Sequence, residues 1–153
     1  MLFRSARAER PLVVTSSAGR NHAVPALLGE LADRFALPVV EYRPRHTNIR
    51  GDHAMHAGFD VGPFIAEADA VLVIEADVPW LPGEAKPKPD CPVIQIGTDP
   101  LFRRYPVRSF RADVSVAASP AAAIAALIAA LDTALDQGPR SEEHTSELQS
   151  LRH

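Results

Sequence analysis

Five short runs set the main constraint on how this chain can fold: PLVVTSS at 11–17, LPVVEYR at 37–43, AVLVIEA at 70–76, CPVIQIG at 91–97 and RADVSVAA at 111–118. They are rich in valine and isoleucine and lack the polar alternation of a strand with one wet face, so they read as strands covered on both sides. Between them lie segments of helical period. Val24, Leu27, Leu28, Leu31 and Phe35 fall on one helical face, with Asn21 as N-cap and Pro25 in the first turn. PFIAEAD at 63–69 reads as a short helix feeding the third strand. Ile124, Leu127, Ile128, Leu131 and Leu135 repeat the spacing of the first helix behind a Ser119–Pro120 start, and this helix is expected to end near Gly138. Strands that alternate with helices and hide both faces belong in a parallel sheet. The expected fold is therefore α/β: a doubly wound, Rossmann-like parallel sheet of about five to six strands, with helices on both faces and right-handed crossovers. Residues 44–62 read as a long loop with at most one helical turn, and 83–90 as a proline-rich surface connection.

A chain of 153 residues is the size of one domain. Its net charge of −3 gives no general pull toward nucleic acid or anionic membrane. No apolar run approaches the roughly 18 residues that span a bilayer, since Ala121–Leu131 is bounded by Pro120 and Asp132. The opening MLFRSARAERP lacks the apolar centre of a signal peptide. The single cysteine, Cys91, allows no internal disulfide, and a reducing, cytoplasmic location is expected. Beside Pro92 at the mouth of an apolar run, Cys91 reads as a small buried hydrophobe with no activating partner in view.

In doubly wound sheets, ligands sit beyond the C-terminal ends of the strands. Four stretches occupy that rim: SSAGRN, RPRHTN, EADVPWLPG and GTDPLFRRYP. SSAGRN offers backbone amides and Arg20 to a phosphate, or is simply a tight turn, since it holds one glycine, Gly19, where a full G-x-G-x-x-G would hold three. Glu75 and Asp77 at a strand end suit acid–base work or the binding of ribose hydroxyls, and Asp99–Pro100 after the fourth strand has the same ambiguity. Trp80, set between Pro79 and Leu81–Pro82, suits a subdomain or subunit contact better than stacking on a ligand. Arg103, Arg104, Arg108 and Arg111 form a local basic cluster, read as a solvated or subunit-facing surface or as a phosphate site. His46, His53 and His56, with Asp52 adjacent, invite a metal reading, but the glycines around them, Gly51 and Gly58, indicate loop, and no metal ligands are assigned. No Ser-His-Asp order, C-x-x-C or Walker motif is present.

Taken together, RPLVVTSSAGRN, LPVVEYRPR, DHAMHAGFD, EADAVLVIEADVPWLPG, PVIQIGTDPLFRRYPVRSF and ADVSVAASPAAAIAALIAAL resemble the central domain of thiamine diphosphate-dependent enzymes, specifically acetolactate-synthase-like proteins. The resemblance covers roughly residues 7–135, with DVPWLPG and IGTDPLFRRYPVRSF its most specific pieces. It implies a parent enzyme that decarboxylates a 2-keto acid and transfers or releases the aldehyde unit. A preceding pyrimidine-binding domain would supply an activating glutamate. A following diphosphate-binding domain would hold thiamine diphosphate through Mg²⁺ with a Gly-Asp-Gly motif and a downstream Asn. Neither is in this sequence, and RGDH at 50–53 is not the Gly-Asp-Gly motif, so the chain by itself is expected to be inactive, with no catalytic residues, and to bind no thiamine diphosphate alone. The same resemblance implies the flanking domains of the same chain as partners and a homo-oligomeric parent. In FAD- or ADP-binding relatives the rim faces the nucleotide, which marks Gly19, Arg20, Gly58, Asp77, Val78 and Asp99 as the matching cofactor edge. The first loop departs from the glycine-rich form of the FAD-binding members, which weighs against FAD. The alternative reading is a free-standing FAD-, ADP- or NAD-binding module of Rossmann type.

The division expected is 1–10 as the end of an interdomain linker, 11–138 as the domain, and 139–153 as a disordered tail. RSEEHTSELQS at 140–150 resembles the one-frame translation of a sequencing adapter, so that stretch is expected to be an artefact and the gene a fragment.

Overall fold

The computed structural model describes residues 7–106 and 110–150, of which 138–150 are described by their backbone alone. Five strands form one sheet: β1 (Pro11–Thr15), β2 (Val39–Glu41), β3 (Ala70–Ile74), β4 (Val93–Gly97) and β5 (Val114–Ala117). Their order is β2-β1-β3-β4-β5, and every neighbouring pair is parallel. The α/β reading holds, with five strands. Each strand is shorter than its run, whose ends pass into the loops.

Two cores sandwich the sheet, as its two-sided apolar strands require. On one face Val13, Val39 and Ile74 pack with Leu28, Leu31 and Ala32 of helix α1 (Val24–Phe35) and with Ile124, Ile128 and Leu131 of α3 (Pro120–Ser150). On the other, Leu12, Val14, Val40, Val71, Val73 and Val93 pack with Val61 and Ile65 beside the single turn α2 (Gly62–Ile65), and with Trp80 and Cys91 from the coil between β3 and β4. Burying a Leu, Ile or Val side chain contributes about 1.5–3 kcal/mol, so these two layers are the main source of stability.

Several local expectations are corrected. The N-cap of α1 is Ala23; Asn21 sits two residues earlier, where its Oδ1 accepts the Ala23 N–H at 3.1 Å and its carbonyl accepts the Val24 N–H. Helix α2 ends at Ile65 instead of 69, because Asp69 is drawn to the incoming chain: its carboxylate accepts the Glu9 and Arg10 amides at 2.8 and 3.0 Å. The last helix, expected to end near Gly138, continues in its backbone as far as Ser150, through a stretch holding Glu142, Glu143, Glu147 and Gln149, all good helix formers. Among the described residues one helical stretch, Pro120–Gln137, is long and apolar enough to cross a membrane by length and composition alone, although it carries Asp132 and Asp136. In the folded domain its apolar side lies on the sheet, and Asp132 pairs with Arg34 of α1.

Candidate functional site

The rim at the strand C-termini is a set of loops cross-linked by polar side chains. After β1 the chain makes a 3-10 turn, Ala18–Arg20. After β2, residues 42–48 fold back across it: the Tyr42 amide donates to the Thr15 carbonyl and the Arg45 amide to the Ser16 carbonyl, both at 3.0 Å, while the Ser16 hydroxyl donates to the Arg43 carbonyl at 2.9 Å. Asn48, fully buried, is the pin. Its Oδ1 accepts the Gly19 amide at 2.8 Å, and its Nδ2 donates to the Ser16 carbonyl, Glu41 Oε2 and the His46 carbonyl at 3.0, 3.0 and 2.7 Å. Its own amide also donates to Glu41 Oε2, at 2.9 Å. The other oxygen of Glu41 lies 2.8 Å from His56 Nε2, with both side chains almost wholly out of solvent. A buried carboxylate demands this saturation with donors.

Close approach explains Gly19. A Cβ there would stand 1.8 Å from the Thr47 carbonyl oxygen, so the crossing loop fits only against a hydrogen. Gly58 has a different reason. Its φ of +92° is left-handed, and its carbonyl accepts the Glu41 amide at 3.0 Å, closing a segment that lies along the open edge of β2 through Val39 and His56.

A second crosslink joins three rim loops. Asp77 Oδ2 accepts from Arg45 at 3.0 Å and from the Tyr105 hydroxyl at 2.9 Å, while its Oδ1 accepts the Val78 amide at 3.0 Å. Burial alone would raise the Asp77 pKa, but Tyr105, Arg45 and the Val78 amide together outweigh it and hold the carboxyl below the usual range. A folded-state pKa that is depressed contributes stability above the unfolded pKa, about 3.9 for Asp, and that contribution disappears as pH falls through the folded value. Asp77→Asn is therefore expected to lower the stability measured by urea unfolding at pH 7 slightly, by up to about 1 kcal/mol given the exposure of Arg45, and the gap to wild type should shrink as pH falls below about 3.9. A gap that persists at low pH contradicts the assignment.

Glu75 points elsewhere. Its left-handed backbone (φ 46°) turns the chain at the end of β3, and its Oε1 accepts the Thr98 amide and hydroxyl at 2.8 and 3.2 Å, tying β3 to β4. Asp99 closes its own loop by accepting the Arg103 amide at 3.1 Å. Of the six residues marked in the sequence, Gly19, Arg20, Asp77, Val78 and Asp99 all follow strand ends on one rim, and Gly58 lies beside β2. Each carboxylate among them has a protein partner, and Arg20 is exposed. The residues that organise the rim, Asn48, Glu41, Arg45 and Tyr105, do not stand out in the sequence. The signal available is Asn48 beside the apolar Ile49 in an otherwise polar loop.

Other candidates are dispersed. His56 serves Glu41; His53 packs at Gly29 of α1, with its Nδ1 accepting the Met55 amide at 3.0 Å; His46 is exposed. Among the described residues no group of three or more His, Cys, Asp or Glu is placed to hold a metal ion. The basic cluster is not one cluster. Arg111 lies at the opposite end of the sheet and clamps the Pro89 and Cys91 carbonyls, Arg103 pairs with Asp99, and Arg108 is outside the described residues. Burial pushes the Cys91 thiol up to about 11, so it is a poor nucleophile at neutral pH. Trp80, expected at a subdomain or subunit contact, is 4% exposed inside this domain's own core, edge-on to Phe110 at 5.4 Å.

No sequence-family profile and no curated protein matches this chain. Among solved structures, it is similar to an assigned thiamin diphosphate-dependent enzyme of Mycobacterium smegmatis, with a TM-score of 0.63 and 23% identity over 82% of this chain and 26% of that one. It is similar also to a thiamine diphosphate-dependent 4-hydroxybenzoylformate decarboxylase of Rhodococcus jostii, with a TM-score of 0.63 and 19% identity over 82% of this chain and 25% of the other. The chain spans about a quarter of the length of these enzymes, and what it shares with that part of each is the α/β fold.

Proposed function

We propose that this chain is the central domain of a thiamine diphosphate-requiring enzyme acting on 2-keto acids, of the acetolactate synthase or decarboxylase type, and that it has no catalytic activity by itself. The observation that carries the reading is the fold match to thiamine diphosphate enzymes over 82% of the chain. The state of the rim supports the second half, because its carboxylates and its buried histidine already bind protein groups. In this reading thiamine diphosphate and Mg²⁺ would be held by the flanking pyrimidine- and diphosphate-binding domains, and among the described residues no group of three or more His, Cys, Asp or Glu is placed to hold a metal ion. The role left to this domain is packing between those two, in a cytoplasmic homo-oligomer.

The rim residues Gly19, Arg20, Gly58, Asp77, Val78 and Asp99 would be the nucleotide edge of an FAD- or ADP-binding parent. The competing reading, a free-standing nucleotide module, needs an open first turn, and the Gly19 amide is occupied. Sequencing the genomic DNA on both sides of this reading frame tests the proposal. A glutamate-bearing domain upstream and a Gly-Asp-Gly domain downstream are expected; intact, unrelated genes on both sides would reject it.

A further inference from the structure

The turn between β1 and α1 is where a doubly wound fold cradles a phosphate, because loose backbone amides and the helix N-terminus converge there. In this chain most of those amides already have acceptors. The Ser17 amide donates to the Glu75 carbonyl at 3.0 Å, Arg20 to Ser17 at 3.2 Å, Asn21 to Ala18 at 3.3 Å and Val24 to Asn21 at 3.0 Å. The Ala23 amide goes to Asn21 Oδ1 at 3.1 Å. Pro25 in the first turn of the helix has no amide hydrogen to offer. The Gly19 amide is held by Asn48 Oδ1 at 2.8 Å, and the Thr47 carbonyl oxygen lies 1.8 Å from where a Cβ would be. An amide oxygen thus occupies the place of a ligand's phosphate oxygen, and peptide backbone fills the space beside it.

We infer that the 42–48 loop is a built-in stopper of this phosphate position, so that the chain rejects the diphosphate-bearing nucleotides (ADP, FAD, NAD) that such a turn otherwise receives. The stopper is seated from below, since Glu41 takes both nitrogens of Asn48 and is itself held by His56. The inference concerns only the β1–α1 turn, and it stands whether or not the chain serves a thiamine diphosphate enzyme.

The test is nuclear magnetic resonance on the full chain, titrated with ADP and with FAD and then followed by amide hydrogen exchange. The expected result is no saturable shift of residues 17–24 up to about 1 mM nucleotide, with a Gly19 amide as protected as those of the sheet. Asn48→Asp sets a second carboxylate against Glu41 and should speed Gly19 exchange by roughly tenfold or more. If that variant does not fold, the wild-type measurements decide alone. Saturable nucleotide binding that shifts residues 17–24, or a Gly19 amide that exchanges like an exposed loop, overturns the inference.

Discussion

Trp80→Ala is expected to cost about 3–5 kcal/mol of folding stability. The indole lies in the core on the face opposite α1 and α3, in one cluster with Leu12, Val14, Val71, Val73 and Cys91, and with Val78, Leu81, Ala85 and Phe110 packed around it. Among the described residues, that face has only the single turn α2 as regular cover, so the coil from 76 to 92 supplies much of the rest, and Trp80 is its largest side chain. Truncation leaves a void that the flanking prolines, Pro79 and Pro82, hinder from collapsing. Trp80→Phe keeps an aromatic edge against Phe110 and should cost clearly less. Urea unfolding of both variants measures this. If Trp80→Ala keeps the wild-type midpoint, the indole does not plug this core, and a role in contacts outside the domain returns.

Gly19→Ala should cost about 2–4 kcal/mol, and the reason is a collision with backbone. A methyl group cannot sit 1.8 Å from the Thr47 oxygen, so the 46–48 segment must lift. Asn48 would then lose its contacts with Gly19 and Ser16, and Glu41 would lose donors while still buried. An uncompensated buried carboxylate is among the most costly defects in a domain. A glycine kept only for contact with a phosphate behaves differently: alanine there would abolish ligand binding and leave the free protein's stability nearly unchanged. The urea midpoint of Gly19→Ala without ligand separates the two cases, and a loss under about 0.5 kcal/mol would contradict the packing explanation.

The sheet was legible because a parallel strand buried on both faces leaves an unusual trace, a run of apolar residues without alternation, and PLVVT, AVLVI and VIQIG carry it plainly. Helices α1 and α3 were legible from their one-sided spacing. The coil on the opposite face was not, because WLPG and its prolines have no period, and an apolar residue in a loop reads the same whether it turns inward or outward. The rim was readable as a place, since fold topology fixes which loops follow strand ends. Its wiring was not. The Gly19–Asn48 bond joins residues 29 apart, and Asp77 meets Arg45 and Tyr105 across 32 and 28 residues. Such pairs depend on how two loops cross, which no local pattern encodes. Arg111 shows the converse error: it is near Arg103 and Arg104 in sequence, but β5 begins just after it and carries it to the far end of the sheet.

Isothermal titration of the purified 153-residue chain with thiamine diphosphate and Mg²⁺ tests most directly whether this domain stands apart from the coenzyme's chemistry. No saturable heat is expected, because among the described residues no group of three or more His, Cys, Asp or Glu is placed for a metal ion and the Gly19 amide at the first turn is already held by Asn48. Stoichiometric binding of the coenzyme by this chain alone would contradict it.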